Sequence, residues 1–149
     1  MNKEPISLTP AAEGDIQLIR ALLEQNGLPG QDIDDKIGCL FMAYHGSELV
    51  GIGGMEIYGR YGLLRSLVTL DKFRGGGYGK IITQQLLDHA RAEGLSAVYL
   101  LTTTAAKFFE KMGFDYIERA AVPEPIANTT EFTSLCPDSA DCMMLKLRP

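Results

Sequence analysis

The sequence predicts a single α/β domain, and three observations carry that expectation. Its 149 residues match one ordinary domain, long enough to bury roughly 70% of its extended surface without a disulfide or metal. Stretches of strand-like alternation and stretches of helical spacing follow one another along the whole chain. Between a strand and the longest helix lies a glycine-dense run, Arg74–Gly75–Gly76–Gly77–Tyr78–Gly79.

Taken in order, Ile6, Ser7 and Leu8 read as a short strand stopped at Thr9 and Pro10, a Thr N-cap with Pro at the first helical position. Ile16, Ile19, Leu22 and Leu23 recur at helical spacing until Asn26 and Gly27 end the run. Residues 30–36 are polar and acidic and read as a short helix or loop. Strands follow over 39–44 and 49–58, joined by the turn-like His45, Gly46 and Ser47, with a third over 62–70. After the glycine run, Tyr78, Ile82, Leu86 and Ala90 step along one face of a helix over 80–93, and Gly94 fits the position that closes it. Residues 97–101 read as a buried strand, 104–112 as a short helix closed by Gly113, and 114–117 as a strand. Residues 122–141 hold three prolines and read as irregular, with one turn of helix at most. Residues 142–147 make a last strand.

Composition excludes several classes. Hydrophobic residues at 46% against 22% charged exclude wholesale disorder. A net charge of −5 argues against a general nucleic-acid coat. No apolar run approaches the ~18 residues of a membrane span, and Met1 to Pro5 open no signal-peptide core. Three cysteines, an odd number, do not read as a secreted disulfide framework. The expectation is a soluble, cytoplasmic protein with one domain over 1–149, partnered by neither membrane nor nucleic acid.

The glycine run carries the chemistry. Without Cβ atoms the backbone can approach a ligand closely, and the N–H groups and dipole of the following helix favour an anion such as pyrophosphate. A nucleotide P-loop needs Gly-Lys-Ser/Thr, but Gly79 and Lys80 are followed by Ile81. A dinucleotide fingerprint opens the first βα unit and expects an acidic residue ~20 positions on. Here three strands precede the loop, and the nearest candidate, Glu93, sits at the helix end. A ligand-free tight turn would spend four glycines within five residues on nothing. Coenzyme A is the remaining occupant.

Leu67, Val68 and Thr69, four further residues, then Arg74-x-x-Gly77-x-Gly79 resemble the acetyl-CoA signature of the GNAT acetyltransferase superfamily. The element order and the segment Glu110–Lys111–Met112–Gly113–Phe114 resemble the same superfamily. The resemblance implies a mixed sheet of six to seven strands with about four helices, splayed between the strand ending near Thr69 and the strand ending near Leu101. It implies pantetheine contacts from Leu67, Val68 and Thr69, pyrophosphate contacts from Arg74, Gly75, Gly76, Gly77, Tyr78, Gly79 and Lys80, and further CoA contacts from Thr102 and Phe109. Leu63–Leu64–Arg65–Ser66–Leu67, Leu101 to Ala106, Glu131–Phe132 and Leu135–Cys136–Pro137 are similar, more narrowly, to small acetyltransferases associated with arsenic-resistance operons.

Individual residues carry paired readings. Glu56 is either the base that takes a proton from an incoming ammonium or an ordinary strand carboxylate. Arg65, with Ser66 beside it, either holds an acceptor carboxylate in bidentate fashion or makes a cross-strand ion pair; a guanidinium between Leu64 and Leu67 is costly without a partner. His45 and His89 read as a turn residue and a solvated helix residue. Lys107 and Lys111 are either adenosine 3′-phosphate contacts or solvated. Cys136 and Cys142 lack zinc spacing and read as packing residues, with arsenic chelation or a redox pair as the alternative. Many superfamily members carry Tyr where this chain has Phe109, so the proton for the departing thiolate needs another source. The function expected is acetyl transfer from acetyl-CoA, without a metal, to a small primary amine in a ternary complex. The acceptor expected is an amino acid or an amino-acid-like arsenical, and a homodimer is the candidate assembly. A catalytically silent acyl-CoA-binding module is the alternative.

Overall fold

The structure, a computed structural model, describes residues 6–147; the N-terminal Met1 to Pro5 reading lies outside them. One seven-stranded sheet runs in the order β1-β2-β3-β4-β5-β7-β6. Its strands are β1 Ile6–Pro10, β2 Leu40–His45, β3 Glu48–Tyr58, β4 Tyr61–Thr69, β5 Ala97–Thr102, β6 Asp115–Tyr116 and β7 Asp141–Lys146. The helices are α1 Ile16–Gln25, α2 Tyr78–Ala92, α3 Ala106–Lys111 and α4 Glu124–Ala127.

Alternation along the strands divides the core between the two faces of the sheet. Leu64, Val98, Leu100 and Met143 pack with Ile82, Leu86 and Leu87 of α2 and Phe109 of α3. Their strand neighbours face the other way: Ile52 and Val68 pack under Ile19 and Leu23 of α1, and Leu63, Tyr99 and Cys142 pack under Ile126 of α4. Helices therefore cover both faces.

Two sequence expectations are corrected. Thr9 and Pro10 end β1, pairing with Met42 and Phe41, instead of opening a helix. β1 is an edge strand, where proline's missing N–H costs no ladder bond. The helix begins at Ile16, after a 3₁₀ turn in which Asp15 accepts from the Ala12 N–H at 2.9 Å. Residues 122–141 hold α4, the single helical turn allowed for, and in addition a π-helical turn over Glu131–Leu135 where irregular chain was expected. Its three prolines sit at and beside the ends of these turns, where a missing N–H is tolerated.

The site is made by a parting of strands. Parallel β4 and β5 pair only through Tyr61–Ala97, Gly62–Val98 and Leu63–Tyr99, while β5 stays paired with β7 up to Thr102. Beyond Leu63 the sheet opens. Close approach of β4 to β3 on the other side holds that opening in shape: a Cβ at Gly51 would lie 2.5 Å from the Val68 carbonyl oxygen and 2.8 Å from Ile82 Cδ1. Gly51→Ala should therefore cost about 1–3 kcal/mol, because a backbone oxygen cannot rotate away as a side chain can. Urea denaturation of the two proteins measures the difference.

Candidate active site

Where β4 leaves β5, its register against β3 also slips. Ile52 faces Val68 and Gly54 faces Arg65, so Ser66 and Leu67 together oppose Gly53. Two residues against one form a β-bulge, in which the extra residue drops out of the ladder. Ser66 takes φ 60°, the one non-glycine residue at positive φ among the described residues. Such a conformation is held by its surroundings, here through a hydrogen bond from Arg65 Nε to the Ser66 hydroxyl at 3.0 Å.

Three cavities meet along this opening. One of about 230 Å³ lies against Thr69, Arg74, Gly77, Lys80 and Phe108. A second, about 180 Å³, begins at the same Phe108 and passes between Leu67 and Thr102 beside Phe109. A third, about 220 Å³, shares Arg65, Ser66, Leu101 and Thr102 with the second and continues over Gln31, Glu131 and Cys136. The cavities thus follow one another from the glycine loop to the π-helical turn, the first two on either side of Phe108 and the last two sharing the wall at Arg65 and Ser66.

At the loop end, Gly77 caps α2 in the left-handed conformation, φ 82°, with open space where a Cβ would stand. Gly79 and Lys80 follow in the first helical turn, where N–H groups have no acceptor four residues back, and the helix dipole adds partial positive charge. Arg74 is braced across the loop by Asp71 at 3.0 Å, by the Thr69 carbonyl at 3.3 Å and by Asn26. Gly75 and Gly76 are exposed, as are Lys107 and Lys111 on α3. Tyr78 packs on Phe73. Val68 turns its side chain into the core under α1, leaving its backbone alone toward the opening.

At the other end, Arg65 is buried in carboxylates. Its terminal nitrogens donate to Asp32 at 2.6 and 2.7 Å and to Glu56 at 2.7 Å, and Nε lies 3.4 Å from Glu131. The bidentate edge expected to fork a substrate carboxylate is thus filled by Asp32. Burial would lower the Arg65 pKa, but these acids overcome it and hold the guanidinium charged. Burial likewise opposes ionisation of Asp32, yet hydrogen bonds from Arg65 leave its carboxyl below the usual range.

Glu56 differs from its expected placement. Its carboxylate accepts from Arg65 and from the Tyr58 hydroxyl, lies 3.9 Å from Lys36, and opens onto a separate depression formed with Asp35, Lys36 and Cys39. The reason is the strand's alternation: Glu56 shares a face with Gly54, opposite Arg65, and is drawn to that cation on the side away from Ser66. Glu131 is the carboxylate that lines the cleft. It is 4% exposed, and burial pushes its pKa up to about 7, with Glu56 and Asp32 reinforcing and Arg65 opposing. The Cys136 thiol hydrogen-bonds it and is itself pushed up to about 12 by burial.

Sequence reading missed Asp32 and Gln31, and named Glu131 only within the narrower resemblance, without a role. The unpartnered cost of a guanidinium at Arg65 was the signal that anions had to come from elsewhere. Phe109 is buried between the rings of Phe108 and Phe114, at 5.1 and 5.6 Å, and offers no proton. Cys136 and Cys142 open onto different cavities. His89 sits edge-on to Phe41 at 5.2 Å, and His45 closes β2 beside the Tyr78 ring. Among the described residues no helix is long and apolar enough to cross a membrane.

A mixed sheet that splays beside a bulge, with a glycine loop at one end of the opening, defines an acyltransferase scaffold. Residues 11–114 match the acetyltransferase (GNAT) family, and the chain belongs to it: it is an acetyltransferase of the GNAT class. It is 26% identical over 128 residues to the amino-acid acetyltransferase of Neisseria meningitidis, covering 80% of this chain and 29% of that protein. Its fold superposes on N-acetylglutamate synthase from Neisseria gonorrhoeae, complexed with coenzyme A and N-acetyl-glutamate, with TM-score 0.83 at 21% identity. That superposition covers 99% of this chain and 36% of that one. Arabidopsis thaliana Naa50 with a CoA bisubstrate analogue superposes with TM-score 0.73 at 18% identity, over 95% of this chain and 99% of that one. The chain thus spans about a third of each Neisseria protein.

Arg65→Met should destabilise the protein by about 3–5 kcal/mol at neutral pH, since it strands buried carboxylates. The sign of the pH dependence follows from Glu131. Its folded pKa, about 7, lies above its ordinary 4.5, so its contribution is fully present below pH 4.5 and is lost as pH rises toward 7. Removing Arg65 raises such carboxyls further, so the deficit of the variant should shrink on acidification from pH 8 to pH 5. Denaturant melts at both pH values check this.

Proposed function

We propose that this acetyltransferase transfers the acetyl group of acetyl-CoA directly to a small primary amine, with both substrates bound together. The observation that carries the reading is the row of three neighbouring cavities along the opening between β4 and β5. Its loop end suits a pyrophosphate, its middle a pantetheine arm, and its third cavity a small acceptor. Gly75 to Lys80 would hold the pyrophosphate on backbone amides and the α2 dipole. Leu67 and Thr69 would meet the arm through their backbone, with Thr102 and Phe109 across from them. The bulge at Ser66 and Leu67 frees main-chain N–H capacity beside the reacting carbonyl, a preformed site for developing negative charge.

An amino-acid acceptor is the second reading, favoured by the likeness to the Neisseria amino-acid acetyltransferase. Arg65 gives it no support as a carboxylate clamp, because Asp32 fills the fork. An amino-acid-like arsenical rests on the same fork and meets the same obstacle.

Thiol release from acetyl-CoA, followed colorimetrically with a panel of alkylamines, polyamines, amino acids and organoarsenicals, tests the reading. Acceptor-stimulated release is expected. Tight acetyl-CoA binding with no stimulated release by any acceptor would favour the silent module. Gly77→Ala should weaken CoA by at least tenfold in calorimetry, since a left-handed alanine costs about 1–2 kcal/mol and its Cβ enters the open loop. Phe109→Tyr should hold or raise turnover, because a thiolate with a reference pKa near 8.5 already leaves tolerably without a donor. Steady-state rates of that variant with the best acceptor are the check.

A further inference from the structure

The third cavity has charged lining from Arg65 and Glu131 alone. Arg65 is fully buried at its side chain, donates to Asp32, Glu56 and Ser66, and lies 3.4 Å from Glu131. Of the three carboxylates around the guanidinium, Asp32 and Glu56 are offset by Arg65 and by Lys36, 3.9 Å from Glu56, which leaves Glu131 as the acid without a cation of its own. Of the three, Glu131 alone borders the same cavity as Ser66; Asp32 and Glu56 lie behind the guanidinium. The remaining lining is neutral, with Gln31, Thr103, Leu135 and Pro137 among it. A site of this kind attracts an organic cation and offers no fork to an anion.

We propose that Glu131 is the catalytic residue that receives the acceptor's ammonium group and takes its proton, and that the acceptor is an alkylammonium without a neighbouring carboxylate. This rests on the direct-transfer reading above. One N–H proton of the ammonium passes to a Glu131 carboxylate oxygen. The freed nitrogen lone pair forms the C–N bond to the acetyl carbon as the C–S bond breaks. The second N–H proton leaves with the thiolate, releasing CoA as the thiol, and Glu131 returns its proton to water through the cavity mouth. Arg65, with Asp32 and Glu56 behind it, is a positioning group: its Nε lies 3.4 Å from Glu131 and donates to the Ser66 hydroxyl at 3.0 Å, placing base and bulge beside the same guanidinium.

The groups facing Glu131 decide its acidity. Burial raises its pKa to about 7, Arg65 opposes, Glu56 and Asp32 reinforce, and the Cys136 thiol donates to it. Arg119, which donates to the Phe132 and Cys136 carbonyls, stands behind the turn. A carboxyl titrating near neutrality suits a general base.

Two measurements test the proposal. The first titrates n-butylamine into the CoA complex at pH 7 by NMR, for wild type and Glu131→Gln. Saturable binding by wild type, weakened at least tenfold in the variant while CoA affinity holds, supports it. No binding by wild type, or equal binding by both, overturns it. The second follows kcat/KM for butylamine against pH. Wild type should show an acid limb with midpoint near 7, and Glu131→Gln should lose 10²–10⁴-fold at pH 7. The variant should regain rate steadily toward the amine's own pKa. An unchanged limb in Glu131→Gln, or glutamate preferred over butylamine, overturns the proposal. If Glu131→Gln fails to bind CoA, Glu131→Asp replaces it: the limb should persist with weaker amine binding, and loss of the limb overturns it. Glu131-dependent amine binding without any thiol release upholds the ammonium site and removes the transfer reading instead.

Discussion

A single buried cation organises this molecule. Arg65 cannot lie in a protein interior unpaired, because an isolated charge there costs several kcal/mol in lost hydration. Its partners come from three places far apart in the chain: the turn holding Asp32, the middle of β3 at Glu56, and the π-helical turn at Glu131. Satisfying one guanidinium therefore fixes where the segment before β2 and the segment before β7 lie relative to the bulge. Such a cluster adds little net stability, but any arrangement that strands one of its charges is heavily penalised. Specification of geometry is its contribution.

That requirement also explains the asymmetry among the three acids. Asp32 receives two hydrogen bonds from Arg65 and stays readily ionised. Glu56 shares its charge with Arg65 and the Tyr58 hydroxyl. Glu131 is left with the guanidinium's longest contact, 3.4 Å, and burial raises its pKa where that of Asp32 is lowered. Two chemically similar carboxylates, Asp32 and Glu131, are thereby shifted in opposite directions beside one shared partner.

Much of the fold was readable from residue order. Strand-like runs between turn residues located β2 to β4, a short apolar run located β5, helical spacing located α1 and α2, and Gly94, at φ 79°, closes α2 where glycine was expected to. The errors have physical causes. Thr9 and Pro10 carry a helix-start signal in local chemistry, but pairing with β2 at a sheet edge overrides it. The turns between β6 and β7 take their shape from packing against β4, β5 and β7, which no local signal in a proline-rich stretch encodes. The glycine loop was readable because its requirement is local. The carboxylate cluster was not, because its members meet only when strands and turns distant in sequence converge. Arg65 announced the need for anions without naming them.

The two ends of the cleft are built from different materials. The glycine end is made of main chain at a helix terminus, so its shape depends on glycines and on little else. The far end is made of side chains borrowed from separate turns, each anchored by the same arginine. Substitutions at the far end that spare Arg65 and its three acids can therefore be made without disturbing the glycine end. One half of the molecule is thus fixed by backbone conformation and the other by a balance of charges.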